Sequence, residues 1–567
     1  MPFKSLIELF EYNTAKFSKK TLINSRIISA KGEIFDEKFS WNEVRDLSKR
    51  VAAALCKLGQ ATGSKVGIWA ENSSRWVIAD LAIMYLGASS LNIDPGDTEL
   101  NAANALKQCD VNTIFIGDTK YLNKLIKIIT DYQIRVRNII LMDFKTSSVK
   151  NESQNIQILT WDQILANETS STAFNPQAYP IDSNFTANIL MNSGAEGSTK
   201  IIPLSHKNII ANIESVAKYL KYKKSDVILS CHSLSDIFNK NFAFYSAIFS
   251  GACLFFPVDS KNYFYELAYK SITIASINPK AIAEIEEIMD YQIEKDKFTK
   301  FLMNIPIVNL FIKSNIRKQT ARDLRLIITS GSYLPEHLFN TMKDYGFKIL
   351  QSYGTTESSG PVAISKTSSP HGSVGKIIGT FDSRITSDGE LEISGNAITS
   401  SYIANPALEA EVFYKVSGTD WFRTGDIVKN GANGELVYLG RLCEHVENSQ
   451  EDEILLSKVE QYLRDIDYID DVLIVGEGRP FVSALITIRD ERFKKRFKRL
   501  DRYSIKQQCE KDIEIINKRL KNFERIRKFS ILDLPLRSSK SELSANKKVR
   551  RKVVEARYHD VIESLYD

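Results

Sequence analysis

Residues 41–86 read WNEVRDLSKRVAAALCKLGQATGSKVGIWAENSSRWVIADLAIMYL, and this stretch decides the fold class. Apolar residues recur at helical spacing in 41–59 and again in 76–86, whereas 65–69 is a short apolar run typical of a strand. Strands that alternate with helices in this way predict an α/β fold with doubly wound parallel sheets. Similar short runs follow between helical patterns, at residues 113–117, 138–142, 226–229 and 324–329.

A second pattern appears between residues 383 and 438. Turn signals at Asp388-Gly389 and Asn433-Gly434 lie among short strand-like runs at 383–386, 390–394 and 435–438. Short strands joined by such turns favour antiparallel pairing. We therefore predict a small, barrel-like β region attached to the doubly wound part.

The C-terminal part differs in composition from the rest of the chain. After Arg441 the sequence becomes more basic, with runs of cations at 494–499 and 547–552. Two strand-like runs lie between its helical patterns, which indicates an α+β unit. A segment of about 125 residues is large enough to fold independently. We predict a large N-terminal domain at residues 1–440 and a small C-terminal domain at 441–567.

Composition excludes several classes of protein. The 567 residues have a formal charge of only +6, with 43% hydrophobic and 25% charged residues. These values argue against disorder and against a dedicated nucleic-acid binder. The six cysteines form no C-x-x-C pair, which argues against a zinc site or a disulfide framework and fits a cytoplasmic protein.

The N-terminus reads as an amphipathic helix, not a signal peptide. The longest apolar run, 247–258, is too short to cross a membrane, so any membrane contact is expected to be peripheral, on the inner face.

A glycine-containing loop follows an apolar strand-like run. Residues 192–206 read NSGAEGSTKIIPLSH, with Gly194, Gly197, the Ser193 hydroxyl and the Lys200 cation close together. Backbone N–H groups and a lysine in such a loop can hold a polyphosphate. The segment lacks the Gly-Lys-Ser/Thr of a Walker loop. By itself it therefore fits a phosphate loop and a plain surface turn about equally.

Two later segments favour the phosphate interpretation. Residues 351–360, QSYGTTESSG, bring an aromatic ring, hydroxyl groups and a carboxylate into one tight loop. Tyr353 can stack on a base, and Glu357 can hold Mg²⁺, which takes oxygen ligands beside phosphates. Farther on, Asp426 ends WFRTGD and Arg441 ends GELVYLGR. An aspartate can accept both hydroxyls of a ribose, and a nearby arginine adds charge-assisted hydrogen bonds.

These motifs, in this order, resemble those of the adenylate-forming (AMP-binding) enzymes, which include acyl-CoA synthetases, luciferases and peptide-synthetase adenylation domains. The resemblance runs from about residue 40 to the end of the chain, with 192–206 as a degenerate phosphate loop. It implies that 1–440 binds nucleotide and acyl group and that 441–567 is a mobile cap. The nucleotide-binding residues that it implies are Ser193, Gly194, Gly197, Lys200, Gly331, Ser332, Tyr353, Gly354, Thr355, Thr356, Asp426 and Arg441.

The end of the chain is most similar to that of long-chain fatty acyl-CoA synthetases. Residues 542–567, ELSANKKVRRKVVEARYHDVIESLYD, place Lys548 on the family's catalytic lysine. The resemblance implies that a fatty acid reacts with ATP to give an acyl-adenylate, which coenzyme A then captures. Lys548, Lys200 and Glu357 would be catalytic. Glu357 would hold Mg²⁺, and Glu444 would be the hinge of the cap domain.

Several positions depart from the family's pattern. Ala195 and Glu196 replace hydroxyl residues, Asp236 replaces a histidine near the acyl site, and Glu451 stands at a usual glycine. Two alternatives therefore stay open. One is adenylation with transfer to an acyl carrier protein or another acceptor. The other is a catalytically impaired member that binds nucleotide or acyl ligand as a sensor or scaffold.

The basic run 494–499 is interpreted as a solvated helix face, with contact to anionic lipid or to the phosphates of coenzyme A as the alternative.

Overall fold

The computed structural model describes residues 3–28, 32–142, 156–166, 168, 174–193, 199–258, 264–269, 271–295, 297–303, 305–497, 501–533, 536 and 551–567. The strands are β1 (Thr21–Ile28), β2 (Ile34–Ser40), β3 (Lys65–Trp69), β4 (Ser89–Ile93), β5 (Thr113–Ile116), β6 (Asn138–Leu141), β7 (Gln157–Thr160), β8 (Thr186–Ser193), β9 (Thr199–Ser205), β10 (Val227–Leu229), β11 (Cys253–Phe256), β12 (Ile274–Ser276), β13 (Leu326–Thr329), β14 (Ile349–Thr355), β15 (Gly360–Ile364), β16 (Ser373–Ile377), β17 (Asp382–Ile385), β18 (Glu390–Ser394), β19 (Phe413–Val416), β20 (Thr419–Asn430), β21 (Leu436–Arg441), β22 (His445–Glu447), β23 (Glu453–Leu455), β24 (Ile469–Val475), β25 (Val482–Ile488) and β26 (Ile526–Ile531).

The helices begin largely where the sequence places capping residues. Ser5, for example, accepts a hydrogen bond from the Glu8 backbone N–H at the start of the predicted first helix. Among the described residues, no helix combines the length and the apolar character needed to span a bilayer. The helices are α1 (Leu6–Phe17), α2 (Trp41–Lys57), α3 (Ser74–Tyr85), α4 (Glu99–Gln108), α5 (Thr119–Tyr132), α6 (Trp161–Ala166), α7 (His206–Leu220), α8 (Ile237–Asn239), α9 (Ser246–Ser250), α10 (Phe264–Tyr269), α11 (Pro279–Glu294), α12 (Lys297–Leu302), α13 (Pro306–Ala321), α14 (Glu336–Asp344), α15 (Pro406–Val412), α16 (Leu456–Arg464), α17 (Asp490–Phe497), α18 (Arg502–Asn517), α19 (Arg551–Arg557) and α20 (His559–Glu563), and a π-helical turn, Lys240–Tyr245, joins α8 to α9.

The first sheet is the doubly wound layer predicted from residues 41–86. Its strands lie in the order β7-β6-β5-β3-β4-β8-β9, and every pairing from β7 to β8 is parallel. Strands β8 and β9 pair antiparallel as a hairpin. Its strands are nearly continuous apolar runs because helices cover both faces: α2 and α3 share a core with one face, and α4 and α5 with the other.

The second sheet combines a parallel half with an antiparallel half. Strands β2-β1-β11-β10-β12-β13-β14 form one end, and all neighbours from β1 to β14 pair in parallel. From β14 onward the order is β15-β16-β21-β20-β18-β17, and every pairing is antiparallel. The antiparallel pairing predicted for this region is confirmed. Its described strands do not close into a separate barrel but continue the parallel sheet through β14 as one surface.

A buried ion pair joins the two sheets. Lys240, on the π-helical turn after β10, lies with its Nζ 3.2 Å from both carboxylate oxygens of Asp80 on α3. The same Nζ donates to Oδ1 of Asn92 on β4 at 2.7 Å and lies 4.7 Å from the centroid of the Trp76 ring. Lys240 and Asp80 are completely buried. Burial lowers the pKa of Lys240 to about 8, against the opposing effect of the Asp80 charge. The pair therefore holds the second sheet to the helical layer of the first.

The smaller C-terminal domain has its own sheet and its own apolar clusters. Strand β25 pairs antiparallel with β24 and parallel with β26, and β22 and β23 form a separate hairpin. Two contacts tie it to the large domain: the Tyr333 hydroxyl donates to Asp465 at 2.9 Å, and Arg492 lies 2.7 Å from Glu286. Strand β21 ends at Arg441, and the boundary between residues 440 and 441 stays a prediction.

Replacing Lys240 by Met should be strongly destabilising, because it leaves the Asp80 carboxylate buried without its cation. We expect Lys240→Met to lower the free energy of unfolding of the N-terminal domain by about 3–5 kcal/mol in urea denaturation. The matched control is Lys415→Met, which removes one partner of an exposed ion pair, 3.3 Å from Asp420, and should cost less than about 1 kcal/mol. Equal losses in the two variants would contradict a stabilising role for the buried pair.

Candidate active site

The predicted phosphate loop is the connection between β8 and β9. Asn192 pairs with Lys200, and Ser193 with Thr199, so the hairpin brings both ends of the loop together. Gly194 and Gly197 lie outside the described residues, as do Ala195 and Glu196, and so does the side chain of Ser193. The Nζ of Lys200 lies 5.4 Å from the centroid of the Tyr402 ring.

Strand β14 carries Tyr353 to the junction of the two halves of the second sheet. The buried Tyr353 hydroxyl donates to Oδ2 of Asp426 on β20 at 2.7 Å. Burial, together with the Asp426 charge, raises the pKa of Tyr353 well above its ordinary value, so the hydroxyl stays protonated as a donor. The next residue has to be glycine, because a Cβ on Gly354 would lie 2.1 Å from the carbonyl oxygen of Gly360.

Asp426 and Arg441 meet because their strands are paired in register. Strands β20 and β21 place the two residues opposite each other. Nε of Arg441 lies 2.9 Å from Oδ1 of Asp426, and the buried carboxylate raises the pKa of Arg441 above its ordinary value. The Asp426 backbone N–H donates to Oγ1 of Thr424 at 3.1 Å, which fixes the turn before the carboxylate. Sequence analysis predicted this pair, and the structure brings it into direct contact with Tyr353.

Glu357 is held by a residue that sequence analysis missed. The Tyr402 hydroxyl donates to Oε1 of Glu357 at 2.7 Å, and both side chains are buried. Burial and the Glu357 charge raise the pKa of Tyr402. The same ring lies beneath the Lys200 ammonium. Tyr402 therefore links the predicted metal ligand to the predicted phosphate ligand.

Two buried asparagines brace the loop around Glu357 from behind. Asn212 of α7 donates to the carbonyl oxygens of Ser358 and Pro361, both at 2.9 Å. Asn241, beside Lys240 in the π-helical turn, donates to the carbonyl oxygen of Ser359 and to Oδ1 of Asn212, both at 3.0 Å. Neither asparagine belongs to a motif that could have indicated this role.

The remaining predicted nucleotide ligands lie along the same edge. Strands β13 and β14 are parallel neighbours, so Gly331 and Ser332, after β13, leave the sheet beside the loop that follows β14. Both are exposed, and Gly331 adopts a φ of +82°, which favours glycine. Thr355 is buried and accepts a hydrogen bond from the Ser358 backbone N–H at 3.2 Å. Thr356 is half-buried in the turn that follows.

The predicted hinge lies directly after this cluster. Residues Leu442–Glu444 form a single 3₁₀ turn. The Glu444 carboxylate accepts a hydrogen bond from the backbone N–H of Arg441 at 3.1 Å. Lys548 lies outside the described residues, so its place relative to Asp426 stays a prediction.

Two of the unexpected acids have local explanations. Asp236 caps α8, because its carboxylate accepts hydrogen bonds from the backbone N–H groups of Phe238 and Asn239. Glu451 is exposed and adopts a φ of +63°, a left-handed conformation in which a glycine is more stable. The Asn448 side chain holds this turn by accepting from the Gln450 backbone N–H at 2.8 Å.

Comparison with known proteins identifies the family. The family model described as AMP-binding enzyme matches residues 10–403, and the model of the AMP-binding enzyme C-terminal domain matches 454–567. The chain belongs to the AMP-binding, adenylate-forming enzymes. The long-chain-fatty-acid–CoA ligase FadD15 of Mycobacterium bovis is 24% identical over 565 residues, covering 93% of this chain and 92% of that protein.

A second relative and a solved structure also match most of the chain. The chloroplastic long-chain-fatty-acid–[acyl-carrier-protein] ligase AEE15 of Arabidopsis thaliana is 22% identical and covers 91% of this chain and 81% of that protein. The crystal structure of the anthranilate CoA ligase AuaEII with anthranoyl-AMP superposes with a TM-score of 0.78 at 18% identity, covering 100% of this chain and 99% of that one. The fold is therefore that of an adenylate-forming ligase with a large N-terminal and a smaller C-terminal domain.

The asparagine brace can be tested by its contribution to stability. Asn212→Ala removes a side-chain donor from two buried carbonyl oxygens, so we expect the free energy of unfolding to fall by about 2–4 kcal/mol. Urea denaturation measures this, with the exposed Asn184→Ala as control, which should change stability by less than about 0.5 kcal/mol. If Asn212→Ala behaves like the control, the loop does not depend on the brace.

Proposed function

We propose that this enzyme activates a long-chain fatty acid with ATP and transfers the acyl group to coenzyme A. The observation that carries the proposal is the cluster at the end of β14, where the buried Tyr353 and Asp426 meet the half-buried Arg441 and can take a nucleoside. The similarity to long-chain-fatty-acid–CoA ligases along nearly the whole chain supports the class of acid and acceptor.

The cluster has the capacity to bind a ribose. A carboxylate offers about four lone-pair sites, and the Tyr353 hydroxyl and the Arg441 guanidinium each engage one oxygen of Asp426. A carboxylate held in this way is a suitable acceptor for the hydroxyls of a ribose. The Tyr353 ring, packed 6.0 Å from the Tyr438 ring, would form the wall against which the base lies.

Glu357 and Lys200 would act on the phosphates. Among the described residues, no group of three or more His, Cys, Asp or Glu side chains could hold a metal ion alone. Mg²⁺ usually binds through one or two carboxylates plus substrate phosphates, and Glu357, fixed through Oε1 by Tyr402, fits that pattern. Bound Mg²⁺ would neutralise phosphate charge. Lys200 would leave the Tyr402 ring for the phosphates, at a cost of about 0.5–2 kcal/mol in cation–π attraction.

Two chemical steps follow from this assignment. A carboxylate oxygen of the acid attacks the α-phosphorus of ATP, and pyrophosphate leaves. The thiol then attacks the acyl carbon and loses its proton, and AMP leaves. Two anions meet in the first step, so positioning and neutralisation supply most of the catalysis. Lys548 would bridge the acid and the α-phosphate, and Glu444 would allow the cap domain to turn between the steps.

The acceptor has one specific alternative. The relative AEE15 is named for transfer to an acyl carrier protein, whose thiol would then take the place of coenzyme A. The family's usual glycine at position 451, which lets a pantetheine arm approach the backbone, is Glu451 here. A catalytically impaired sensor or scaffold is the second alternative.

Exchange of labelled pyrophosphate into ATP, dependent on a long-chain fatty acid, tests the adenylation step. We expect the wild type to catalyse exchange and Lys548→Ala to lose it while keeping ATP affinity. Asp426→Asn should lower ATP affinity at least about tenfold. The residue that pairs with Arg441 and accepts hydrogen bonds from the ribose would lose its negative charge.

The matched control for Asp426→Asn is Asp420→Asn, six residues earlier on β20, where the carboxylate is exposed. It should leave ATP affinity and exchange unchanged. Intact ATP binding without exchange would sink the enzyme proposal in favour of the sensor. Exchange followed by transfer to an acyl carrier protein, with none to coenzyme A, would replace the acceptor.

Glu451→Gly tests the second half-reaction. It removes the side chain and the left-handed strain, so we expect a gain of about 1 kcal/mol in the stability of the C-terminal domain and faster transfer to coenzyme A at unchanged exchange. Ser417→Gly is the control, because Ser417 is also exposed, with a φ of +50°, but lies between β19 and β20. A similar rise in transfer rate in the control would refute a specific effect at position 451.

A further inference from the structure

The corner between α12 and α13 exposes an unusual group of large apolar side chains. Phe311 is 78% exposed, Phe301 67%, Leu310 63% and Ile305 44%. These four residues, which we call the corner face, lie within eleven positions of one another. Surface apolar residues are normal when scattered singly, but grouped ones mark an interaction surface.

The helices that carry the corner face are anchored on their other side. Ile316 is buried in the apolar core of the second sheet, and Met303 and Ile312 pack against the same core. The Asn309 side chain donates to the carbonyl oxygen of Met303 at 3.1 Å and fixes the corner. The exposed residues therefore lie on helices that are held in place. The inner apolar side chains of these helices are already packed against the core.

The same segment concentrates positive charge. Residues 295–322 contain seven Lys and Arg and a single acid, Asp296, for a net charge of +6, the same as that of the whole chain. Lys295, Lys318 and Arg322 are exposed. A segment that exposes large apolar side chains together with lysines and an arginine complements an anionic lipid surface, with which each exposed cation can interact favourably.

The surface that sequence analysis considered for lipid contact is built differently. Phe493 precedes the basic run on α17, and Phe497 lies within it. Their rings pack edge-on against the Tyr468 ring at 5.1 and 5.7 Å, with Phe493 in the C-terminal core and Phe497 packed against that core. Arg492 and Arg496 lie 2.7 and 2.6 Å from Glu286 and Asp467. Helix α17 therefore offers neither apolar side chains nor unpaired arginines to a bilayer.

We propose that the corner face docks the enzyme on a lipid bilayer with anionic headgroups. Phe301, Ile305, Leu310 and Phe311 enter the boundary between headgroups and acyl chains, and the surrounding cations contact the headgroups. The docking is peripheral. It does not depend on the proposed reaction, so vesicle binding and pyrophosphate exchange can fail separately.

Vesicle flotation of the full chain tests the docking. We expect binding to phosphatidylcholine vesicles containing a quarter phosphatidylglycerol, and weaker binding in high salt. Leu310→Gln with Phe311→Gln should lower the partition coefficient at least about tenfold, because two large apolar side chains no longer transfer out of water. Lys318→Gln with Arg322→Gln should lower binding to the anionic vesicles and leave binding to pure phosphatidylcholine unchanged.

The control pair is Tyr503→Gln with Ile515→Gln on α18, where the side chains are 71% and 52% exposed, close to the values of Phe311 and Leu310. The control should bind like the wild type, and the urea midpoints of all variants should agree. Equal losses in the control and the corner-face variant would overturn the proposal. So would a wild type that ignores vesicles but forms a dimer that Leu310→Gln with Phe311→Gln breaks, because the corner face would then join two copies of the chain.

Discussion

The contact between Lys240 and Asp80 is the interaction on which the arrangement of the large domain depends. A charged lysine inside an apolar core is stable only with a close counter-ion and satisfied hydrogen bonds, and Asp80 and Asn92 supply both. Lys240, Asp80 and Asn92 lie on elements of different layers. The ion pair and its hydrogen bond can therefore form in only one relative position of the two sheets. Hydrophobic contacts alone would permit small slides between these layers.

The same π-helical turn also positions the chemistry. Lys240 reaches toward the first sheet, and its neighbour Asn241 reaches the loop that carries Glu357. The relative position of the sheets and the shape of the loop are thus set by adjacent residues. This explains why a segment remote from the predicted nucleotide ligands in sequence has so many buried polar groups.

Local patterns predicted the parts of the molecule that local physics determines. Residues 65–69 and 390–394 form strands with the predicted ends. Asp426 and Arg441 were predicted as partners because a carboxylate that accepts ribose hydroxyls is well supported by a nearby arginine. Tyr402, Asn212 and Asn241 could not be predicted, since their partners are tens of residues or more away in the chain. The continuity of the second sheet through β14 was missed for the same reason: periodicity identifies a strand but not its neighbours.

Strand β14 has a parallel neighbour on one side and an antiparallel neighbour on the other. It therefore has no unpaired edge, and neither half of the sheet can be separated from the other without breaking the hydrogen bonds of β14. A chimera cut before Gly360 would leave a row of bare backbone donors and acceptors beside Tyr353, which invites aggregation. A cut after Arg441 passes between completed sheets. Modules exchanged among relatives should accordingly carry the entire span from β14 to β21 as one piece.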